Sequence, residues 1–231
     1  MQLFDMTSLN TAFQKVKKNH GGPGVDRVTI EQFEENLPRN LATLHTELLD
    51  RSYLPLPLLK ILVAKKNGEP RGLSIPTVRD RIAQTAVLLC IGPTLEKEFE
   101  ECSFGYRKGR SVRQAVFKVR EYFMKGYCWV VDADIDAFFD NVDHSLLLKK
   151  FAKVGQDQRL HELIALWTAA EIWDGEKISV LKKGLPQGSA ISPVLANLFL
   201  DELDEEMLKN GYKYVRYADD YVILCVEGDA L

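Results

Sequence analysis

Two adjacent aspartates near the C-terminus lie between two apolar, β-prone runs, and no other feature limits the fold so closely. The segment runs from Tyr214 to Leu224 and predicts a β-hairpin with Asp219 and Asp220 at its tip. Adjacent carboxylates repel each other, and a nearby cation relieves that repulsion. Mg²⁺ prefers such oxygen ligands. A polar turn without a metal is the alternative, because aspartate is common in turns.

Composition places the chain among ordinary globular proteins. Its 231 residues, 46% hydrophobic and 27% charged, suffice for one large domain or two small ones. Four scattered cysteines form no CxxC pair, which argues against a disulfide framework or a zinc site and favours a reducing, cytoplasmic location. We expect no membrane association, because the chain shows neither a signal-peptide pattern nor an apolar run of ~20 residues.

Basic residues are concentrated in one stretch of an otherwise acidic chain. The net charge is −3, so whole-chain charge gives no argument for binding nucleic acid. A local basic face can still bind phosphates. The stretch contains Arg107, Lys108, Arg110, Arg113, Lys118, Arg120 and Lys125.

The order of elements mixes helices with hairpin strands, which favours the α+β class. Apolar, β-branched runs predict strands over residues 58–64, 71–75 and 127–135, the last of them buried. Residue types that favour helix N-caps predict helix starts at Ser8, Thr29, Ser111 and Asp143.

The predicted strand 127–135 runs into a group of acids. Asp132, Asp134 and Asp136 share one face if the strand persists that far, and three like charges there are costly without a cation. Asp140 and Asp143 fit loop and helix-cap positions instead.

The two acidic segments together suggest a metal site. If Asp134 meets Asp219 or Asp220 on one sheet surface, their carboxylates can hold two divalent ions. A separation of about 3.5–4 Å between such ions suits in-line phosphoryl displacement.

Two further segments suit a nucleotide. Lys65 and Arg71 flank a predicted hairpin turn and can close on a polyphosphate, although basic hairpins are commonly solvated sheet edges. The Gly- and Pro-rich loop 184–193 can bring backbone close to a base or sugar, with Gln187 as a hydrogen-bonding group. An ordinary loop leading into a helix is the alternative.

Taken in order, these segments resemble the polymerase motifs of reverse transcriptases. The similarity is greatest to the group II intron-encoded (maturase) branch and its bacterial relatives. Residues 65–76 resemble the fingers hairpin, 132–144 and 185–198 the first two palm motifs, and 217–220 the Tyr-x-Asp-Asp box. Residues 103–107 also match a family block, so the resemblance covers nearly the whole chain.

The resemblance implies a right-hand polymerase fold. We expect fingers and palm only, with an antiparallel palm sheet backed by helices near residues 143–154 and 193–209, and no thumb. The N-terminal extension and fingers would occupy residues 1–125, and a truncated palm residues 126–231. The sequence ends at Leu231, before the family's thumb, so we expect a fingers–palm fragment or a truncated gene product.

The resemblance also implies RNA-directed DNA synthesis, with two Mg²⁺ ions, or Mn²⁺ as a substitute, as cofactors. By resemblance, the catalytic metal ligands are Asp134, Asp219 and Asp220, with the backbone carbonyl of Ile135 as a further contact. The nucleotide contacts are Lys65, Arg71, Phe139, Gln187 and Gly188, with Phe139 excluding a 2′-hydroxyl and Phe138 in the core. The RNA contacts are Arg107, Lys108, Arg110 and Arg113.

The implied partners are an RNA template, a DNA primer, a dNTP and an intron or other structured RNA. A homodimer is also expected, because palm surface that the family covers with later segments would be bare. Two other functions stay open. A related polymerase could make RNA, although the bulky Phe139 argues against it, and a non-catalytic, maturase-type module could bind RNA without extending a primer.

Overall fold

The computed structural model describes residues 4–64, 68, 70–155 and 157–226, without the side chains of Pro70 and Arg71. Within these residues the helices, in chain order, are α1 (Met6–Lys18), α2 (Ile30–Glu35), α3 (Leu37–Leu49), α4 (Val78–Glu98), α5 (Val112–Met124), α6 (Phe138–Asn141), α7 (His144–Val154), α8 (Gln158–Thr168) and α9 (Ser192–Lys209). The strands are β1 (Leu58–Ala64), β2 (Pro70–Ile75), β3 (Trp129–Asp134), β4 (Glu171–Trp173), β5 (Ile178–Val180), β6 (Lys213–Tyr217) and β7 (Asp220–Cys225).

The chain divides into two compact units. Unit 1 comprises Met1–Pro93 and Phe139–Ser192, and unit 2 comprises Thr94–Phe138 and Pro193–Leu231. The sequence predicted a single boundary between residues 125 and 126. The chain passes between these two contact units at three points, because each unit is assembled from tertiary contacts between segments that are distant in sequence.

Unit 1 contains a four-stranded sheet in the order β2-β1-β4-β5. The β1–β2 pair is antiparallel, with Leu59 opposite Ile75, and confirms the predicted hairpin. Strand β4 runs parallel to β1 and antiparallel to β5. Strand β4 was not predicted, because its three residues are too few to show a period.

Local capping signals were partly correct. The Thr29–Gln32 capping box forms, and the Asp143 side chain accepts a hydrogen bond from the Leu146 N–H, as predicted. The assignment of Ser8 as a cap was wrong. Asp5 caps α1 by accepting a hydrogen bond of 2.6 Å from the Ser8 N–H, because α1 begins two residues before Ser8.

Unit 2 contains an antiparallel sheet in the order β3-β7-β6. The buried core includes Phe104, Ala115 of α5 and Val215 of β6, so α5 covers part of this sheet. The helix near residues 143–154 was predicted to back it. That helix, α7, belongs to unit 1, and its position behind this sheet stays a prediction.

No helix within the described ranges is both long and apolar enough to cross a membrane.

A buried carboxyl group on α9 makes the stability of unit 2 depend on pH. Asp201 is only 9% exposed, and its Oδ1 atom has no hydrogen-bond partner among the described residues. Burial, followed by the nearby carboxylates of Asp204, Glu205 and Glu100, raises the Asp201 pKa to about 7 against the opposing effect of Arg216. Asp201 therefore stays protonated to a higher pH in the folded state than in the unfolded state.

We predict that Asp201 reduces the free energy of unfolding as the pH rises from about 4 to about 7. The raised folded pKa means that full stability is present below the unfolded pKa and is lost as the pH passes the folded pKa. Asp201→Asn should raise the free energy of unfolding at pH 8 by about 1–3 kcal/mol and flatten this pH dependence. Urea titrations at pH 5 and pH 8 measure both. Glu206→Gln, an exposed change on the same helix at a carboxylate that does not raise the Asp201 pKa, should leave the pH dependence in place.

Candidate functional site

The acidic hairpin of unit 2 forms with the predicted strand pairing. Tyr217 lies opposite Asp220 across the β6–β7 turn, and Ala218 and Asp219 are the two turn residues. Asp134, the last residue of β3, is the register partner of Asp220. Side chains of directly opposed residues have Cβ atoms about 4.5–5.5 Å apart. The structure therefore brings Asp134 and Asp220 together from segments distant in sequence.

The carboxylates at this strand end act on one another. Partial burial raises the pKa of Asp220, and the neighbouring charges of Asp219, Asp134 and Asp132 raise it further. Within the described part of the chain, no three His, Cys, Asp or Glu side chains are arranged to hold a metal ion. The backbone thus brings Asp134 and Asp220 to one strand end, and their binding of a divalent cation stays a prediction.

Strand β3 differs from the sequence prediction in its burial and its length. It was expected to be buried, but it lies at the edge of its sheet, and Trp129, Val130 and Val131 are 54%, 51% and 41% exposed. The strand ends at Asp134, so Asp136 does not continue its face. An apolar run indicates a strand but does not show whether tertiary neighbours cover it.

The predicted backbone contact at Ile135 lies in the turn after β3. Its carbonyl accepts a hydrogen bond of 3.2 Å from the Phe138 N–H. A carbonyl oxygen has two lone pairs and can accept from more than one partner.

A buried arginine that the sequence analysis did not select lies directly beneath the acidic turn. Arg216 is 0% exposed. Its Nε and Nη2 atoms donate to the two carboxylate oxygens of Asp204 at 2.7 and 2.5 Å. Its Nη1 atom donates to Asn197 Oδ1 at 3.0 Å and to the Ala218 carbonyl at 2.8 Å. This network joins α9 to the turn that carries Asp219.

In unit 1, the loop containing Gln187 and Gly188 packs against β2. The Ser74 N–H donates to the Gln187 carbonyl at 2.7 Å. Gly188 has φ +119°, and a Cβ atom there would lie 2.7 Å from the Ser74 carbonyl oxygen. The buried Gln84 of α4, also missed from the sequence, accepts hydrogen bonds from Ser189 Oγ at 3.0 Å and Ala190 N at 3.1 Å.

The two adjacent phenylalanines have different environments. Phe138 is 5% exposed, and its ring centroid lies 6.0 Å from that of Phe199, so its predicted core position is confirmed. Phe139 is half-buried, and its carbonyl accepts a hydrogen bond of 2.6 Å from the Leu185 N–H in unit 1. Both residues lie in the short helix α6, so the alternation of an extended strand, which motivated the prediction, does not apply.

Two predicted triphosphate contacts are wholly or partly outside the described residues. Lys65 is outside the described residues. The backbone of Arg71 forms part of β2, where its Cα pairs with that of Val63. The predicted hairpin between them therefore forms in its strands.

The basic segment contains one residue that the sequence analysis assigned wrongly. The Arg107 side chain is only 3% exposed and pairs with Glu96, and its guanidinium also donates to the backbone carbonyls of Phe99, Glu100 and Ser103. These bonds occupy the group that was expected to bind RNA, so we remove Arg107 from the proposed contacts.

The other predicted RNA contacts are more accessible. Lys108 and Arg113 are exposed, and Arg110 is half-buried. The Arg110 Nη1 atom donates to the carbonyls of Glu101 and Ser103, which restrains this side chain.

We predict that Gly188→Ala destabilises unit 1 more than Gly175→Ala. Both glycines have positive φ, +119° and +104°, so each substitution carries backbone strain of about 1–3 kcal/mol. A Cβ at Gly175 meets nothing within 4 Å, whereas one at Gly188 meets the Ser74 carbonyl. Chemical denaturation of the two variants measures the difference. Equal losses would mean that the loop does not pack against β2.

Comparison with known proteins gives a consistent result. Residues 63–231 match the family described as reverse transcriptase (RNA-dependent DNA polymerase). The chain is 36% identical to Protein YkfC of Escherichia coli (strain K12), over 87% of this chain and 63% of that protein. It is 31% identical to the group II intron-encoded protein LtrA of Lactococcus lactis subsp. cremoris, over 91% of this chain and 35% of that protein.

A solved structure of a partial Cas6-RT-Cas1–Cas2 complex aligns with a TM-score of 0.61 at 29% identity. The alignment covers 96% of this chain and 37% of that chain. The chain therefore spans less than two thirds of each of these relatives. The resemblance to reverse transcriptases related to group II intron maturases is confirmed.

Proposed function

Because the chain belongs to the reverse transcriptase (RNA-dependent DNA polymerase) family, we propose that it takes part in RNA-templated DNA synthesis. The reaction is nucleotidyl transfer, in which a primer 3′-hydroxyl attacks the α-phosphate of a dNTP and pyrophosphate leaves. The observation that carries this proposal is the pairing of Asp134 with Asp220, beside a turn that presents Asp219.

In unit 2, the proposed metal ligands are Asp134, Asp219 and Asp220, with the Ile135 carbonyl as a further contact. Their carboxylates suit Mg²⁺. Burial and, after it, the negative charges of Asp219, Asp134 and Asp132 raise the pKa of Asp220, and a divalent cation would offset those charges. When bound, two such ions lower the pKa of the attacking hydroxyl and stabilise the charge on the leaving pyrophosphate. The protein's own contribution is to hold Asp134 and Asp220 at the ends of paired strands and Asp219 in the adjoining turn.

In unit 1, the proposed nucleotide contacts are Phe139, Gln187 and Gly188, together with Lys65 and Arg71. Hydrogen bonds between backbone groups hold the loop of Gln187 against β2 and hold Phe139 against Leu185. Such fixed backbone suits a pocket that discriminates between sugars. Phe139 would exclude a 2′-hydroxyl by its bulk.

The proposed nucleic-acid partners are an RNA template and a DNA primer. Lys108, Arg110 and Arg113 are the proposed phosphate contacts. LtrA is named as encoded by a group II intron, so an intron or other structured RNA is the RNA class that we propose.

We further propose that unit 1 corresponds to the fingers and unit 2 to the palm of the right-hand polymerase fold. The antiparallel sheet β3-β7-β6, which carries the acids, supports the palm assignment. None of the described elements is assigned to a thumb. A homodimer stays a prediction.

We predict that Asp219→Asn lowers primer extension by on the order of 10²–10³-fold, because a ligand that would hold the divalent cation at the transferred phosphate is lost. RNA binding should change little. Extension of a DNA primer on an RNA template in Mg²⁺ and in Mn²⁺, with a filter-binding titration, measures both. Asp132→Asn is the control, since Asp132 is an exposed aspartate two residues before Asp134 and is not a proposed metal ligand.

The same experiment separates the two candidate functions. If the unaltered chain binds RNA but extends no primer with either ion, the non-catalytic, maturase-type module is the better account. Equal losses in Asp132→Asn and Asp219→Asn would contradict the specific role of the turn.

We predict that Phe139→Ala raises ribonucleotide incorporation relative to deoxyribonucleotide incorporation by about 10-fold or more, because the smaller side chain admits a 2′-hydroxyl. Single-nucleotide extension with a dNTP or the matching NTP measures the ratio. Phe138→Ala is the control, since Phe138 is buried against Phe199. A change in the ratio for Phe138→Ala alone would reverse the assignment.

A further inference from the structure

The turn that presents the acidic residues has an unfavourable backbone. Ala218, the first of its two residues, has φ +61°. A two-residue hairpin turn with positive φ at this position normally favours glycine, because a Cβ atom crowds the backbone there. A residue held in such a region is strained and persists only where its surroundings fix it.

The Arg216 guanidinium supplies one such restraint from beneath the turn. Its Nη1 atom donates to the Ala218 carbonyl at 2.8 Å, and this bond is fully buried. A hydrogen bond from a charged donor in a water-free site is stronger than one between neutral groups. It therefore favours the one orientation of the Ala218 peptide that meets the guanidinium.

The guanidinium is itself held by two side chains of α9. Asn197 and Asp204 are seven residues apart, two helical turns, and so lie on one face of the helix. Asp204 accepts hydrogen bonds from Nε and Nη2, and Asn197 accepts one from Nη1. The position of the donor to Ala218 is thus set by a rigid helix and not by the hairpin alone.

A second restraint acts from the segment 102–105. Its backbone pairs with Arg216, since the Arg216 N–H donates to the Cys102 carbonyl and the Phe104 N–H donates to the Arg216 carbonyl, each at 2.9 Å. A Cβ atom on Gly105 would collide with the Ala218 backbone nitrogen. The Asn197 Nδ2 atom donates to the Gly105 carbonyl at 2.8 Å. The same α9 residue therefore restrains both Arg216 and Gly105, which are neighbours of the turn.

We propose that Arg216 is a positioning residue, which fixes the Ala218 peptide and so sets where Asp219 and Asp220 are presented. Its importance for catalysis rests on the proposed function, whereas its effect on the turn does not. A lysine cannot replace it, because one Nζ atom cannot reach the separate positions from which Nε, Nη1 and Nη2 meet Asp204, Asn197 and the Ala218 carbonyl. The buried charge is costly to desolvate, and such pairs are better evidence of a defined geometry than of added stability.

The first test is the backbone order of the turn in Arg216→Lys, measured by ¹⁵N relaxation of the Asp219 and Asp220 amides. The variant keeps a positive charge beside Asp204 but loses the fork that reaches Ala218. We expect order parameters of about 0.85 in the unaltered chain to fall below about 0.6 in the variant, while those of the β6 and β7 interiors stay high.

Val215→Ala is the matched control for this measurement. Val215 is the adjacent buried residue on β6 and packs against Phe104 and Ala115. Its truncation lowers global stability without touching the Ala218 carbonyl, so the turn should stay ordered. Equal loosening in both variants, or an unchanged turn in Arg216→Lys, would overturn the proposal.

If Arg216→Lys does not fold, Asn197→Ala decides the question. This variant keeps the Arg216–Asp204 pair and removes the side chain that steadies Nη1 and Gly105. We expect a smaller but measurable fall in the order parameters of Asp219 and Asp220. Order parameters equal to those of the unaltered chain would contradict positioning from α9.

The second test is kinetic. In Arg216→Lys, the misplaced acidic turn should lower kcat for primer extension by on the order of 10²-fold, with little change in KM for the primer–template. A change in KM alone would contradict the positioning role. If the unaltered chain extends no primer, the proposed function fails, and the order parameters alone still decide whether Arg216 positions the turn.

Discussion

A positive charge enclosed within unit 2 links three parts of the chain that are far apart in sequence. Arg216 on β6 meets Asp204 and Asn197 on α9, and its backbone pairs with the segment 102–105. An unpaired buried ion costs several kcal/mol, so partial assembly of this network is unfavourable. The helix, the strand and the segment therefore reach their native positions together. That assembly sets the position of the acidic hairpin through the bond from Arg216 to the Ala218 carbonyl.

Features determined by neighbouring residues could be predicted from the sequence. The β6–β7 hairpin and the Thr29 capping box follow from patterns only a few residues long, and both form. The meeting of Asp134 with Asp220 required the family resemblance as well, because no local pattern reveals which strands pair. The roles of these acids in catalysis are still proposals.

Features determined by tertiary partners could not be predicted. Arg107 was counted as a surface charge, since arginines are seldom fully buried, yet Glu96 and nearby carbonyls enclose it. Nothing in the sequence indicated that Arg216 is buried. A strand with one buried face alternates apolar and polar residues, but Tyr214, Val215 and Arg216 are all buried, so β6 does not follow that alternation. The edge position of β3 likewise depends on what lies beside it, which an apolar run does not specify.

The interleaving of the two units has a consequence for the newborn chain. Unit 1 lacks residues 139–192 and unit 2 lacks residues 193–231 until those stretches have been synthesised. Domains normally fold as they emerge from the ribosome, at about 5–20 residues per second. Here the first 138 residues contain an incomplete part of each unit. Their apolar surfaces therefore stay uncovered for several seconds, until residues 139–231 have been synthesised. Uncovered apolar surface exposes the nascent chain to aggregation, so chaperone binding during translation is advantageous.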